Sequence, residues 1–198
     1  LAANRAMIAH FDAGSRAALL YHSNPKVAVR AAVVLGYESS LDRQKVIDQY
    51  LAAMSGLKAD AGRGRTVFVN ACTVCHKLGD AGGNAIGPDL AGLSDRSAPY
   101  LVTHIIDPNR ALEDKFVLFS AAITDGRTLA GMLTGEAGNS ITLLGMDGVE
   151  QVILRNGLKS LTSTRRSLMP DGLEAAIDPQ AMADLVAFVA SAGAAPVK

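Results

Sequence analysis

The sequence predicts a mainly α-helical protein with a small antiparallel β module inserted into its C-terminal half and a helical segment at its N-terminus. Apolar residues recur at helical spacing before residue 115 and after residue 164. Between these positions the helical period is lost, and short β-rich runs alternate with turn signals. Apolar residues make up 49% of the 198, which is enough for a packed core.

Residues 1–56 are predicted to form the helical segment. Asn24 and Pro25 suit the N-cap and the first position of one helix, because proline is preorganised there. A second helix follows, whose apolar stripe consists of Val46, Ile47, Tyr50, Leu51 and Met54. Two such helices in series resemble a HEAT-type repeat, and a plain helical cap that buries its stripe on the next domain is the favoured alternative.

Residues 116–163 are predicted to form the β module, a small barrel or sandwich of about five strands. Its hairpin turn signals are Asp125-Gly126, Gly138-Asn139, Asp147-Gly148 and Asn156-Gly157. Residues 57–115 and 164–198 form the remaining domain on this interpretation. Its last helix should begin with Asp178 as N-cap and Pro179 in the first position, and should end at Gly193.

Charge and hydropathy exclude two classes of function. Lysine plus arginine and aspartate plus glutamate both total 19, so no domain-wide basic surface for nucleic acid is expected. No apolar run reaches the ~20 residues of a membrane helix, which predicts a soluble protein without a transmembrane segment. The chain begins at Leu1 without a recognisable leader, and we expect it to be a processed or trimmed piece.

The two cysteines carry the strongest functional signal. Cys72 and Cys75 are three positions apart, and His76 follows directly. Cys-x-x-Cys-His is the attachment signature of c-type haem, in which both thiols add to the porphyrin and the imidazole binds the iron. A zinc site would need a remote fourth ligand such as His104 at an uncommon spacing, and a thioredoxin-like dithiol would need βαβ surroundings. The motif therefore predicts one covalently bound haem c.

Met169 is the predicted distal iron ligand. It lies in the loop "RRSLMPDGL", where Pro170 prevents helix continuation and holds an extended segment. His104 is the main rival on a predicted helix, and His10 and His22 are more remote. The other methionines are expected in apolar cores: Met7, Met54, Met132, Met146 and Met182.

The stretch "GRTVFVNACTVCHKLGDAGGNAIGPDLAGLSDRSAPYLVTHIIDPNRAL", with "DGRTLAGMLTGE" and "SLMPDGLEAAIDPQAMADLVAFV", resembles the haem-binding domain of Planctomycete- and Verrucomicrobium-type bacterial proteins. Those proteins are monohaem cytochromes c, often fused behind a helical-repeat segment and a sugar-dehydrogenase-like propeller. The resemblance covers residues 57–198 and implies a cytochrome c fold for 57–115 and 164–198. His76 and Met169 lie farther apart than the ligands of a usual small cytochrome, and the β module accounts for the excess.

The resemblance also implies roles for individual residues. The ligand set is Cys72 and Cys75 as thioether anchors, His76 as the proximal iron ligand and Met169 as the distal one. Pro88 in "GPDL" would offer its carbonyl to the second nitrogen of the histidine and so fix its tautomer. Arg96 and Tyr100 match positions that can reach haem propionates, although a surface role remains equally open for both.

The expected function is single-electron transfer by a carrier that is not itself an enzyme. By resemblance, its partners are redox proteins: a dehydrogenase domain or protein as donor, and a cytochrome or terminal oxidase as acceptor. The resemblance also implies a periplasmic or other extracytoplasmic location. The alternatives are a haem sensor or peroxidase-like enzyme with a displaceable distal ligand, and an interaction scaffold in which the haem is structural.

Overall fold

A computed structural model describes Val27, Arg30 and residues 40–192. Within residues 40–192 the helices are α1 (Ser40–Met54), α2 (Ala61–Ala71), α3 (Ala98–Ile106) and α4 (Pro179–Ser191). The strands are β1 (Val117–Ile123), β2 (Thr128–Glu136), β3 (Ser140–Leu144), β4 (Glu150–Leu154) and β5 (Leu158–Ser167). The predicted helix start at Asn24 and Pro25 and the predicted helix end at Gly193 lie outside the described residues.

Side-chain caps begin three of the helices. Asp60 accepts a hydrogen bond from the Arg63 amide at 2.8 Å, and the hydroxyl of Ser97 caps α3 in the same way. The predicted cap of the last helix is confirmed, because Asp178 accepts from the Ala181 amide at 2.8 Å and proline occupies the first position. Each cap satisfies an amide that the helix itself leaves without a partner.

The helical core forms where α2 crosses α4. Gly64 permits the close approach, since a Cβ at that position would lie 1.9 Å from the backbone oxygen of Asp184. One turn further on, the rings of Phe68 and Phe188 pack with their centroids 5.6 Å apart. The buried core consists of Ile47, Phe68, Leu78, Leu101, Val102, Ile106, Ile177, Met182, Leu185, Val186, Phe188 and Val189.

Helix α1 covers one side of this core with its predicted stripe. Ile47 is fully buried, and the stripe residues Val46, Tyr50, Leu51 and Met54 pack against the core. A polar contact holds the helix in place, because Arg43 donates to the backbone oxygen of Ile106 at 2.9 Å and forms an ion pair with Glu174. The described part of the N-terminal segment therefore acts as a helical cap.

The five strands form one antiparallel sheet in the order β4-β3-β2-β1-β5. Strands β4 and β5 are its two edges and do not pair, so the predicted barrel is not confirmed, and the residues described contain no second sheet that would make a sandwich. β5 extends to Ser167, beyond residue 163. The division of the chain into domains stays a prediction.

The sheet is nevertheless strongly curled. A short 3₁₀ turn, Arg155–Gly157, joins the two edge strands. From Leu154 to Leu158 the chain takes four Cα–Cα steps and spans at most about 15 Å, whereas the edges of a flat five-stranded sheet would lie about 19 Å apart. The curl encloses a small apolar cluster formed by Ala121, Ile123, Ile141, Leu143 and Ile153.

Candidate functional site

A cleft opens between the helical core and the sheet. It holds about 1170 Å³ of empty space, including its open mouth, and its walls are mostly apolar. Helices α2, α3 and α4, strand β2 and the loop after β5 all contribute to the lining. Most of the predicted site residues line this one cleft: Cys72, Cys75, His76, Pro88, Tyr100 and Met169.

The cysteine motif forms a single turn immediately after α2. The amides of Cys75 and His76 both donate to the backbone oxygen of Cys72, at 3.0 and 2.8 Å. One turn of backbone thus presents two thiols and an imidazole to the cleft. Burial raises the pKa of Cys72 to about 11, with a smaller contribution from Cys75, and burial also raises the pKa of Cys75. Within residues 40–192 the motif follows α2 and is not part of a βαβ unit, which disfavours the thioredoxin alternative.

His76 is oriented by the loop that follows it. Its Nδ1 lies 2.9 Å from the backbone oxygen of Pro88, and because a carbonyl only accepts, Nδ1 carries the proton. Nε2 is then left as the unprotonated nitrogen, the form that binds a metal. Burial lowers the pKa of His76, while the hydrogen bond to Pro88 partly opposes this shift.

Gly87 makes room for the imidazole. A Cβ at this position would lie 2.7 Å from Cε1 of His76, closer than real Cβ atoms approach a neighbour. The Gly87 amide also donates to the backbone oxygen of Cys75 at 2.7 Å, which holds the glycine-rich loop against the motif. The Cys-His turn and this loop therefore form one wall of the cleft.

Helix α3 adds two polar rings to the lining. Tyr100 and His104 are one turn apart, and their ring centroids are separated by 4.3 Å. Burial is the main cause of both pKa shifts: it lowers the pKa of His104 and raises that of Tyr100. At neutral pH the cleft thus contains an uncharged imidazole and an uncharged phenol on this side.

Arg96 is not brought to the cleft. Its guanidinium donates to the backbone oxygen of Ala91, five residues earlier, and it is absent from the lining. Its Nε is buried without a hydrogen-bond partner among the described residues. The predicted contact of Arg96 with a propionate stays a prediction.

Met132 and Phe116 are among the lining residues that were not predicted as part of the site. Met132 from β2 is 3% exposed, and Phe116 precedes β1. The sequence indicated only that Met132 belongs to an apolar core, because its alternation in a strand does not reveal which core it joins. The β module therefore contributes directly to the wall of the cleft.

Comparison with known proteins identifies the segment that carries the motif. Residues 61–116 match the family model described as Cytochrome c. A "Cytochrome c-553-like" protein of Synechocystis sp. is 40% identical over 57 residues, which is 29% of this chain and 52% of the relative. A "Cytochrome c" of Stellaria longipes is 46% identical over 39 residues, 20% of this chain and 36% of the relative. The chain spans about half or less of the curated relatives it matches.

The cofactor is haem c. The segment that matches the Cytochrome c family model contains the Cys-x-x-Cys-His motif, which is the attachment signature of c-type haem. The residues present fit the group: two thiols on one turn, an imidazole with Nε2 unprotonated, and an apolar cleft. Covalent attachment by this motif is therefore consistent with the geometry of the cleft.

The family match covers only part of the chain. It ends at Phe116, before the sheet and the methionine loop, so neither the role of Met169 nor that of the β module follows from it. It also begins after α1, and the resemblance of the N-terminal segment to a HEAT-type repeat stays a prediction. No helix of residues 40–192 has the length and apolarity needed to cross a bilayer.

Proposed function

We propose that this chain is a monohaem electron carrier whose iron is held between His76 and Met169. The main support for this proposal is that both side chains line one mostly apolar cleft together with Cys72 and Cys75. When bound, the haem supplies the one-electron chemistry. Ligation by His76 and Met169 would raise the reduction potential of the iron relative to a histidine-only site.

The chain's own residues orient the ligands and exclude water. The Pro88 carbonyl keeps the proton on Nδ1 of His76, which directs Nε2 to the cofactor and raises the basicity of the ring. Gly87 leaves the ring free to take this position. The mostly apolar walls, to which Met132 contributes from the sheet, would keep solvent from much of the haem surface and so limit rearrangement between oxidation states.

The donor in this proposal is a dehydrogenase domain or partner protein, and the acceptor is a cytochrome or terminal oxidase. The resemblance of residues 57–198 to bacterial haem-binding domains fused to dehydrogenase-like propellers supports this choice. The same resemblance supports a periplasmic or other extracytoplasmic location. An electron carrier needs only a cofactor edge that a partner can approach, and the open mouth of the cleft is compatible with this requirement.

A haem sensor or peroxidase-like enzyme is the second candidate. The observation that favours it is the pair Tyr100 and His104, two polar rings in a mostly apolar lining. If Met169 were displaced, a ligand that entered the cleft could find hydrogen-bonding groups on α3. This candidate predicts that the reduced protein binds carbon monoxide readily, whereas a six-coordinate carrier resists it.

The test is the optical spectrum of the haem-loaded protein, comparing wild type with Met169→Ala and with Met146→Ala as the matched control. Met146 was expected in an apolar core, but it is 51% exposed and does not line the cleft. We expect the oxidised wild type and the control to show the methionine-to-iron charge-transfer band near ~700 nm, and Met169→Ala to lose it. A wild type without the band, or a band that survives Met169→Ala, contradicts the proposed ligation.

A further inference from the structure

We propose that Asn109 is the positioning residue that holds Met169 at the cofactor. This inference rests on the proposed function, because it takes Met169 as the distal ligand. Asn109 follows α3 directly after Pro108, which lines the cleft, and its side chain is only 7% exposed. Residues 167–171, the methionine loop, lie against it.

A single side-chain amide connects both ends of the methionine loop. The Ser167 amide donates to Oδ1 of Asn109 at 2.8 Å. Nδ2 of Asn109 in turn donates to Oδ1 of Asp171, also at 2.8 Å. Met169 lies midway between these contacts, and its own amide donates to the hydroxyl of Ser167 at 3.0 Å.

The loop has few other constraints from the fold. In the part of the chain that the structure describes, no backbone–backbone hydrogen bond outside the helices and strands involves residues 168–171. Pro170 has no amide hydrogen to donate. Arg166 contacts the carboxylate of Asp171, but both side chains lie at the surface, where ion pairs contribute little.

The chemistry of the amide explains why asparagine suits this position. The Ser167 end of the loop presents a hydrogen-bond donor and the Asp171 end presents an acceptor. A side chain that binds both ends must therefore accept at one atom and donate at another. Asparagine does both in a short side chain, whereas an aspartate at 109 would accept from Ser167 and face a second carboxylate at Asp171. The substitution Asn109→Asp therefore breaks the hydrogen bond to Asp171 while the volume of the side chain stays almost constant.

The same reasoning supplies a rescue. In Asn109→Asp with Asp171→Asn, the carboxylate at 109 accepts from Ser167 and from the new amide at 171, so both hydrogen bonds return with one direction reversed. Asp171→Asn alone keeps an acceptor for Asn109 and serves as the control. A purely steric role of Asn109 would give no reason for the double variant to recover.

The experiment measures imidazole binding to the oxidised, haem-loaded chain, together with the ~700 nm band. Loss of the hydrogen bond to Asp171 should raise the association constant of Asn109→Asp for imidazole about tenfold and weaken the ~700 nm band. Asp171→Asn and the double variant should remain within about twofold of wild type. Imidazole competes with Met169 for the iron, so this readout responds to the loop and not to overall stability.

The outcomes separate this inference from the function on which it rests. If wild type shows the band and Met169→Ala abolishes it, but Asn109→Asp binds imidazole like wild type, the positioning role is wrong and the ligation stands. If wild type lacks the band, both fail. If Asn109→Asp does not retain haem, the double variant is the deciding measurement. Recovery of haem binding and of the ~700 nm band supports the positioning role of Asn109, and no recovery overturns it.

Discussion

The two sides of the cleft are held in different ways. The wall around Cys72 and His76 is closed by backbone hydrogen bonds and by a carbonyl only 12 residues from the histidine. The methionine loop is held by the side chain of Asn109, whose partners lie 58 and 62 residues away. The position of His76 is therefore determined by residues near it in the sequence, whereas the position of Met169, the proposed distal ligand, depends on the assembly of the whole fold.

The two walls also differ in what lies behind them. The cysteine motif continues directly from α2, which packs on α4 through Gly64 and the Phe68–Phe188 pair. The methionine loop follows β5, an edge strand of the sheet. A perturbation of the α2–α4 contact should therefore act on the histidine side first, and this expectation can be tested.

The largest effect is expected for Gly64→Ala. The new methyl group would meet the Asp184 backbone oxygen at 1.9 Å, and backbone cannot move aside as a side-chain tip can. We expect the free energy of unfolding to fall by about 3 kcal/mol, because overpacking at a helix crossing separates the helices. Urea unfolding of the haem-loaded protein, followed by circular dichroism, measures the loss.

Gly62→Ala on the same helix is the matched control. Its Cβ would meet only the tip of the Asp60 side chain, at 3.1 Å. The higher helix propensity of alanine stabilises the variant and the close contact with Asp60 destabilises it. The free energy of unfolding should therefore stay within about 1 kcal/mol of wild type. Equal effects of the two substitutions would show that the close approach of Gly64 to Asp184 does not limit the stability of the α2–α4 contact.

A smaller effect is expected for Gly87→Ala, which acts on the histidine wall itself. The methyl group would lie 2.7 Å from Cε1 of His76, so the ring must move and the hydrogen bond to Pro88 weakens. We expect a loss of about 2 kcal/mol in the free energy of unfolding. If Met169 is the distal ligand as proposed, the ~700 nm band should persist but shift, because the substitution leaves Met169 in place and displaces the imidazole of His76.

Gly92→Ala controls for the loss of a loop glycine. Gly92 is exposed, and a Cβ there meets nothing within 4 Å. Its stability and spectrum should match those of wild type. If Gly87→Ala also matched wild type, the close approach of Gly87 to the imidazole would not constrain the position of His76.

Local signals explain how much of the fold could be predicted. The cap at Asp178 and the stripe around Ile47 depend on residues within a few positions, and both are present. Turns at Asp125-Gly126 and Asp147-Gly148 were predicted from dipeptides, and both glycines have positive φ. The Cys-His turn could also be predicted from local sequence, because a single turn of backbone contains the whole motif.

Long-range contacts explain what could not be predicted. The sheet has open edges, but no strand sequence states whether its edges will pair. Asn109 lies in "IIDPNRAL", and nothing near it indicates that its amide will meet Ser167 and Asp171. The pairing of the sheet and the contacts of Asn109 depend on distant residues that local patterns do not specify. Arg96 is a different case, because its guanidinium donates to the backbone oxygen of Ala91, only five residues earlier, and its contact with a propionate stays a prediction.

The smallest effect is expected from pH and concerns the support of the histidine wall. The carboxylate of Asp184 on α4 is 4% exposed and accepts from Arg63 at 2.6 Å and from the Asp60 amide at 2.7 Å. The hydrogen bond from Arg63 is the main reason that the pKa of Asp184 is lowered, against the opposing effect of burial.

The sign of the pH effect follows from this shift. Since the pKa of Asp184 is lower in the folded protein, the unfolded chain takes up this proton first, below about pH 4. The stabilisation is complete above that pH and is lost as the pH falls through the folded pKa. Asp184→Asn should therefore be less stable at neutral pH and should lose less further stability on acidification, as measured by urea unfolding from pH 7 to 3.

Asp48→Asn, at an exposed site on α1, is the control and should follow wild type. If Asp184→Asn lost stability with falling pH as steeply as wild type, a group other than Asp184 would be responsible for the acid sensitivity.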